Sequence, residues 1–307
     1  MRKLLFTIGI LIGLGEICAN VVVLDAAGHG DYATMSDAIA NSGTGDTIYV
    51  VGSAASYGNF TLSTERTFIG NGYYGQSIGY SSSSSLGNIT LNPGAANSVF
   101  SNLEIGTITF NESNITFDAC IIGGSFTIGS SISNISYSRC LFTSPIYVQS
   151  SSVSFSNSIF NYASSGNGVT VSGGSSPAFD YCTFFDGNIS FDASIVSNSV
   201  VNSSRVGQTP VVVTDGVSGN KVDTEANLLF ETSLGNDGYF QLQSGSPGKT
   251  SSQTGAESGA FGYPTGQPEN AYLLSGLPAI PKITALEFES SSNSSSNLSI
   301  RIQATTN

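Results

Sequence analysis

A short two-strand phrase recurs along the middle of the chain, and only stacked copies of it can be buried. Its first half reads ITL at Ile89–Leu91, ITF at Ile108–Phe110 and FTI at Phe126–Ile128. It continues as IYV at Ile146–Val148, VTV at Val169–Val171 and ISF at Ile189–Phe191. The starts of these segments are 19, 18, 20, 23 and 20 residues apart. Between them lies a second phrase: NITFDACII at Asn114–Ile122, NISYSRCLF at Asn134–Phe142, VSFSNSIF at Val153–Phe160 and PAFDYCTFF at Pro177–Phe185. A unit of this length has too little apolar surface to form a core alone, so neighbouring units must cover one another. Alternation in the first phrase sends the outer two residues inward and the middle one outward. In the second phrase Phe117, Tyr137, Phe155 and Phe179 align, as do Ile122, Phe142, Phe160 and Phe184. Both sets read as interior stacks. Gly and Asn gather at the corners, where positive φ is needed.

The segments flanking the repeat complete the fold. Tyr32–Asn41 has helical spacing through Met35 and Ile39 and stops at Asn41-Ser42-Gly43, and Thr47–Val51 reads as a strand. A short helix here is expected to cap the open end of the stack. Asp25, Gly28, Gly30-Asp31-Tyr32, Thr34, Ala38-Ile39, Gly45-Asp46-Thr47-Ile48-Tyr49-Val50 and Phe68-Ile69-Gly70-Asn71-Gly72 form a further pattern. It resembles the opening of the pectin-lyase-like superfamily of right-handed parallel β-helices. The resemblance covers Asp25–Gly72, implies a cap helix and first coils, and brings no catalytic residue with it. Gly245-Ser246-Pro247 and Gly259-Ala260-Phe261-Gly262 are similar to the closing section of bacterial β-helix proteins.

The expected fold is therefore all-β: a single-stranded right-handed parallel β-helix (solenoid) with an N-terminal helical cap and a C-terminal β extension. The helix is assigned to residues 20–263, and a Pro-rich link with the extension to 264–307. The extension, KITALEFES then NLSIRIQAT, reads as a hairpin or as one strand with a flexible tip. The outward column Ile121, Leu141, Ile159 is unusually apolar and offers this tail a surface to fold over.

Met1-Arg2-Lys3, the apolar run Leu4–Leu14 and the small Ala19 have the form of a secretory signal over residues 1–19. Lipid anchoring at Cys18 is disfavoured by the bulky Ile17 before it. No other segment is long and apolar enough to span a bilayer. The expected location is thus secreted or at the cell surface. Only 10 % of residues are charged and the net charge is −12, which excludes nucleic acid and anionic lipid as partners and disfavours polyuronates. Polysaccharide or a cell-surface component remains as a partner class. Cys120, Cys140 and Cys182 share one place in the second phrase, with Ser158 in that place in the intervening unit. Neighbouring rungs lie about 4.8 Å apart, so Cys120 and Cys140 admit a disulfide. The odd count favours a buried thiol ladder instead.

Enzymes of the resembling superfamily work on the outer face of one sheet, with carboxylates that bind calcium or act as acid and base. Here the outward row of the first phrase is Thr61, Thr90, Thr109, Thr127, Tyr147, Thr170 and Ser190. It holds no acid, and Thr without a neighbouring base is neither a general acid nor a nucleophile. No catalytic residue is assigned, and the row from Thr90 to Ser190 is taken as the ligand-facing surface. Asp118 and Asp180 share a column three rungs apart, roughly 14 Å, too far for paired-carboxylate hydrolysis. Asp180, Asp186 and Asp192 lie in one coil and are the only candidates for calcium, although solvated turn acids are commoner. Otherwise no cofactor is expected. The lone His29 lacks the acidic and basic companions that a catalytic Gly-His-Gly would need, and Arg139 reads as an outward charge. The leading expectation is a non-catalytic module for surface structure, adhesion or glycan contact. A polysaccharide lyase or glycoside hydrolase built on loop acids comes second, and ice binding through the Thr row third.

Overall fold

The computed structural model describes residues 19–73, 82–164, 166–191, 195–210, 213–274, 282–289 and 299–305. The signal segment and Cys18, Asp192 and the last part of the Pro-rich link lie outside the described residues. Three parallel sheets wind into a β-solenoid, as the repeat requires. Sheet A has nine strands, from Val21–Leu24 to Ile195–Ser197. Sheet B has seven, from Phe60–Leu62 to Asn188–Phe191. Sheet C also has seven, from Glu104–Ile105 to Lys221–Asp223. The first phrase supplies sheet B. Each second phrase supplies a strand of sheet A, a sharp corner and a strand of sheet C, as Ile115–Asp118 and Ile121–Ile122 do.

The aromatic stacks form as the alignment requires. Phe117, Tyr137, Phe155 and Phe179 stack at 4.9, 5.1 and 4.8 Å between centroids. The column extends backwards through Phe100 and Phe68, spaced 5.2 and 5.0 Å. Strand spacing sets this pitch, which is also the preferred separation of offset rings. Phe142, Phe160 and Phe184 repeat it at 4.9 Å, edge-on to the first column.

The corner between sheets A and C is the tightest feature of each coil. One residue per coil sits there in the left-handed region: Asn102, Ala119, Arg139, Asn157, Tyr181, Asn198 and Ser218, with φ between 48° and 60°. Asn is the residue that adopts this conformation most readily among those with a side chain, but Ala, Arg and Tyr do not. Just after this residue come Cys120, Cys140, Ser158, Cys182 and Ser199, all completely buried. The three cysteines are free. Each thiol or hydroxyl turns back onto the carbonyl two residues earlier, at 3.4 Å for Cys120, 3.3 Å for Cys140 and 2.9 Å for Ser158. A small donor is all the position asks for, which is why serine and cysteine alternate. Burial pushes the Cys120 thiol up to about 12, so it is inert at neutral pH.

At the start of the chain the expected helix is present over Met35–Asn41, with Met35 and Ala38 buried. Thr34 caps it, Oγ1 accepting from the Asp37 amide at 3.2 Å. Asp31 accepts from the Val23 amide at 2.8 Å and Asp46 from that of Asn20 at 2.8 Å, so the acids of the opening pattern serve the backbone.

The last solenoid strand ends at Asp223. Residues 224–274 then run back along sheet C as a strap of short helical turns, from the last coil towards the first. Phe230 meets Phe185, the Ala260 amide donates to Thr183 Oγ1 at 2.9 Å, and Arg139 donates to the Glu269 carbonyl at 3.0 Å. Tyr272 reaches the hydroxyl of Tyr73, and Tyr73 also bonds to Asp237. The left-handed corner column is its docking track. Asn157 donates to the Ala260 carbonyl at 3.0 Å, and Asn198 accepts from the Gly259 and Gln253 amides at 2.8 and 2.9 Å. The strap therefore buries Leu141 and Ile159, which share a cluster with Leu228, Phe230, Phe240, Leu242 and Tyr272. The outward apolar column is covered, and the strap supplies cover for it. The extension itself is an antiparallel hairpin, Lys282–Glu289 with Ser299–Thr305.

Candidate functional site

Sheet B carries the outward row in unbroken register. Thr61 pairs with Thr90, Thr90 with Thr109, Thr109 with Thr127, Thr127 with Tyr147, Tyr147 with Thr170 and Thr170 with Ser190. The residues on either side of each, such as Ile108 and Phe110 or Phe126 and Ile128, are buried, apart from the half-buried Phe60 beside Thr61. The alternation thus places one hydroxyl or phenol per rung on the outside. Thr61, Thr109, Thr127 and Tyr147 are exposed, and Thr90, Thr170 and Ser190 are partly covered. Tyr147 stands out from the row at 43 % exposure. The row holds no carboxylate, amine or imidazole, so its chemistry is that of hydrogen bonding and ring contact.

Of the three acids considered for calcium, Asp180 and Asp186 are described and Asp192 lies outside the described residues. Asp180 lies on sheet A and accepts from Ser197 Oγ at 2.8 Å and Asn198 Nδ2 at 2.9 Å. Asp186 ends a strand of sheet C and turns to Arg205. Among the described residues no three His, Cys, Asp or Glu side chains are gathered to hold a metal ion. Asp118 is taken up by Arg139, whose Nε lies 2.8 Å from Oδ1. His29 is exposed beside Asp25 at 3.5 Å.

A second constellation forms where the strap leaves the last coils. Arg205 Nε donates to Glu225 Oε2 at 2.7 Å and Nη1 to Asp186 Oδ2 at 3.3 Å. Its guanidinium lies 5.3 Å from the centroid of the Phe185 ring. Tyr239 donates to Glu225 Oε1 at 2.7 Å. Burial pushes the Glu225 carboxyl upward, but the bonds from Tyr239 and Arg205 outweigh it and hold the group below the usual carboxylate value. The bond to Glu225 raises both Arg205 and Tyr239. Paired-carboxylate hydrolysis needs one carboxyl kept protonated near neutral pH, and Glu225 is shifted the opposite way.

Of this group the sequence singled out only Asp186. Its signal was nevertheless present: Asp186, Arg205 and Glu225 are spaced by 19 and 20 residues, the period of the coils. No family model matches the chain, and no curated protein or solved structure matches it either.

Proposed function

We propose that this protein is a non-catalytic carbohydrate-contact module, acting as a secreted or surface-held structural and adhesive element, with the outer face of sheet B as its contact surface. The observation that carries this reading is the in-register row from Thr61 to Ser190, which presents hydroxyls at strand pitch around one exposed ring, Tyr147. Repeated hydroxyls match the hydroxyl-rich edges of a polysaccharide, and an aromatic ring offers an apolar face to its C–H groups. The net charge of −12 turns the choice towards neutral glycans. The compartment follows from the signal-like opening, and the right-handed pectin-lyase-like assignment from the Asp25–Gly72 pattern.

Binding to a panel of neutral and acidic polysaccharides, with turnover followed in parallel, tests the reading. Retention on a neutral polymer that is lost in Tyr147→Ala and Thr109→Lys, with no product formed with or without calcium, is the expected result. Cleavage of any polymer would instead establish the lyase or hydrolase reading. The four consecutive threonines Thr61, Thr90, Thr109 and Thr127 favour a second reading, the ordering of water at ice. Thermal hysteresis that vanishes in Thr109→Lys or Thr127→Lys would select it.

A further inference from the structure

Two clefts open on either side of the Arg205–Glu225 ion pair. One, of about 550 Å³, is lined by Ser204, Glu225, Leu229, Thr232 and Gln243 and lies within the size range of small-ligand sites. The other is lined by Asn161, Asp186, Arg205, Leu234 and Tyr239. Their common wall is the ion pair itself. Arg205 is held by two carboxylates and by the Phe185 ring, yet its side chain is 45 % exposed. Its Nη2 has no protein partner among the described residues. A guanidinium aligned in this way and left with free N–H groups is set to donate to a ligand oxygen.

Each cleft adds an apolar contact to these polar groups. Leu229 lines the first and Leu234 the second, and both are exposed. Leu229 stands in the left-handed region at φ 53° as the C-cap of the helical turn Glu225–Leu228, its amide donating to the Glu225 carbonyl, which fixes its place at the cleft. Two carboxylates face one guanidinium, so the wall is anionic overall and repels uronates and phosphates. A ligand with hydroxyl edges, C–H faces and no charge fits both the polar and the apolar groups.

We propose that the paired clefts bind an uncharged oligosaccharide of at least two rings, laid across the Arg205–Glu225 pair. The ligand class rests on the carbohydrate reading above, but the surface is separate from the sheet B row. Binding here would bridge the last solenoid coils and the root of the strap, and so would hold the strap against sheet C.

Calorimetric titration of the full chain with cellotetraose, xylotetraose, mannotetraose, maltotetraose and tetragalacturonate tests the proposal. At least one neutral tetrasaccharide is expected to bind with Kd below about 1 mM, and tetragalacturonate is not. Leu234→Lys, at an exposed position, should weaken that binding by about tenfold or more, and Glu225→Gln likewise, whereas Thr109→Lys should leave it unchanged. An unaltered unfolding temperature shows that a variant is folded, and Leu234→Lys carries the test if Glu225→Gln is not. Failure of all four neutral tetrasaccharides to bind overturns the proposal. So does binding that survives Leu234→Lys and is lost in Thr109→Lys, an outcome that leaves the sheet B reading standing. Loss in Leu234→Lys with polymer retention unaffected by Thr109→Lys supports the clefts and removes the sheet B reading.

Discussion

Sheets B and C belong to the same coils, yet their outer faces have opposite fates. The outward row of sheet B is hydroxyls and one tyrosine, with Thr61, Thr109, Thr127 and Tyr147 open to solvent and Thr90, Thr170 and Ser190 partly covered. That of sheet C runs Glu104, Ile121, Leu141, Ile159, Thr183, Val200 and Lys221, and its apolar centre lies under the strap. In both sheets the alternation defines inside and outside, but on sheet C the outside is a second interior. The strap also explains the corner residues that local preference does not favour. Arg139, Asn157, Tyr181 and Asn198 stand in the left-handed region along its track, where Arg139, Asn157 and Asn198 bond to it and Tyr181 is buried near Gly262.

The largest difference between the faces should appear in stability. Ile159→Ala is expected to cost about 2–5 kcal/mol in denaturant unfolding, as for any fully buried aliphatic residue. A cost near zero would mean that the strap does not cover this column. Gly259→Ala comes next. At φ 87° a side chain is strained, and its Cβ would come within 2.8 Å of Thr183 Oγ1 and 3.0 Å of Val200 Cγ2. About 1–3 kcal/mol should be lost, with faster hydrogen exchange in the strap than in sheet B.

Acid should then separate the faces more gently. Side-chain and backbone hydrogen bonds from Asn227 and Thr224 hold Asp223 below its ordinary value, and Glu225 is lowered at the same strap root. A carboxyl whose folded value is depressed contributes stability in full above its ordinary range, and that contribution is lost as pH falls through the depressed value. Exchange at the strap root should therefore quicken below about pH 4, while glycan retention by the uncharged sheet B row stays level between neutrality and that point. The smallest effect is expected for Thr127→Ala, within about 0.5 kcal/mol in stability, since the position is open to solvent. A large loss there would show that the row is structural and not a contact surface.

Much of the solenoid was legible because strand alternation and coil period are local rules. The Phe117–Phe179 column, the Thr row and the Cys/Ser ladder could be written down from residue spacing and were found in register. The apolar Ile121, Leu141, Ile159 column showed that something must cover it. The segment that does so could not be read, because residues 224–274 have no period and their contacts lie up to about two hundred positions away, as between Tyr73 and Tyr272. The Arg205–Glu225 wall shares that origin, since one partner ends the coils and the other begins the strap.

The amino-acid sequence by itself determined the stacking, the identity of the inward and outward columns and the absence of a carboxylate, amine or imidazole from the sheet B row. All of these follow from a side-chain period of two repeated at a fixed coil length. Only the tertiary structure decided which outward column stays exposed and where Asp186, Arg205, Glu225 and Tyr239 converge. Those outcomes depend on an aperiodic segment finding an apolar face far away along the chain, and burial of that face is favourable wherever the covering residues come from.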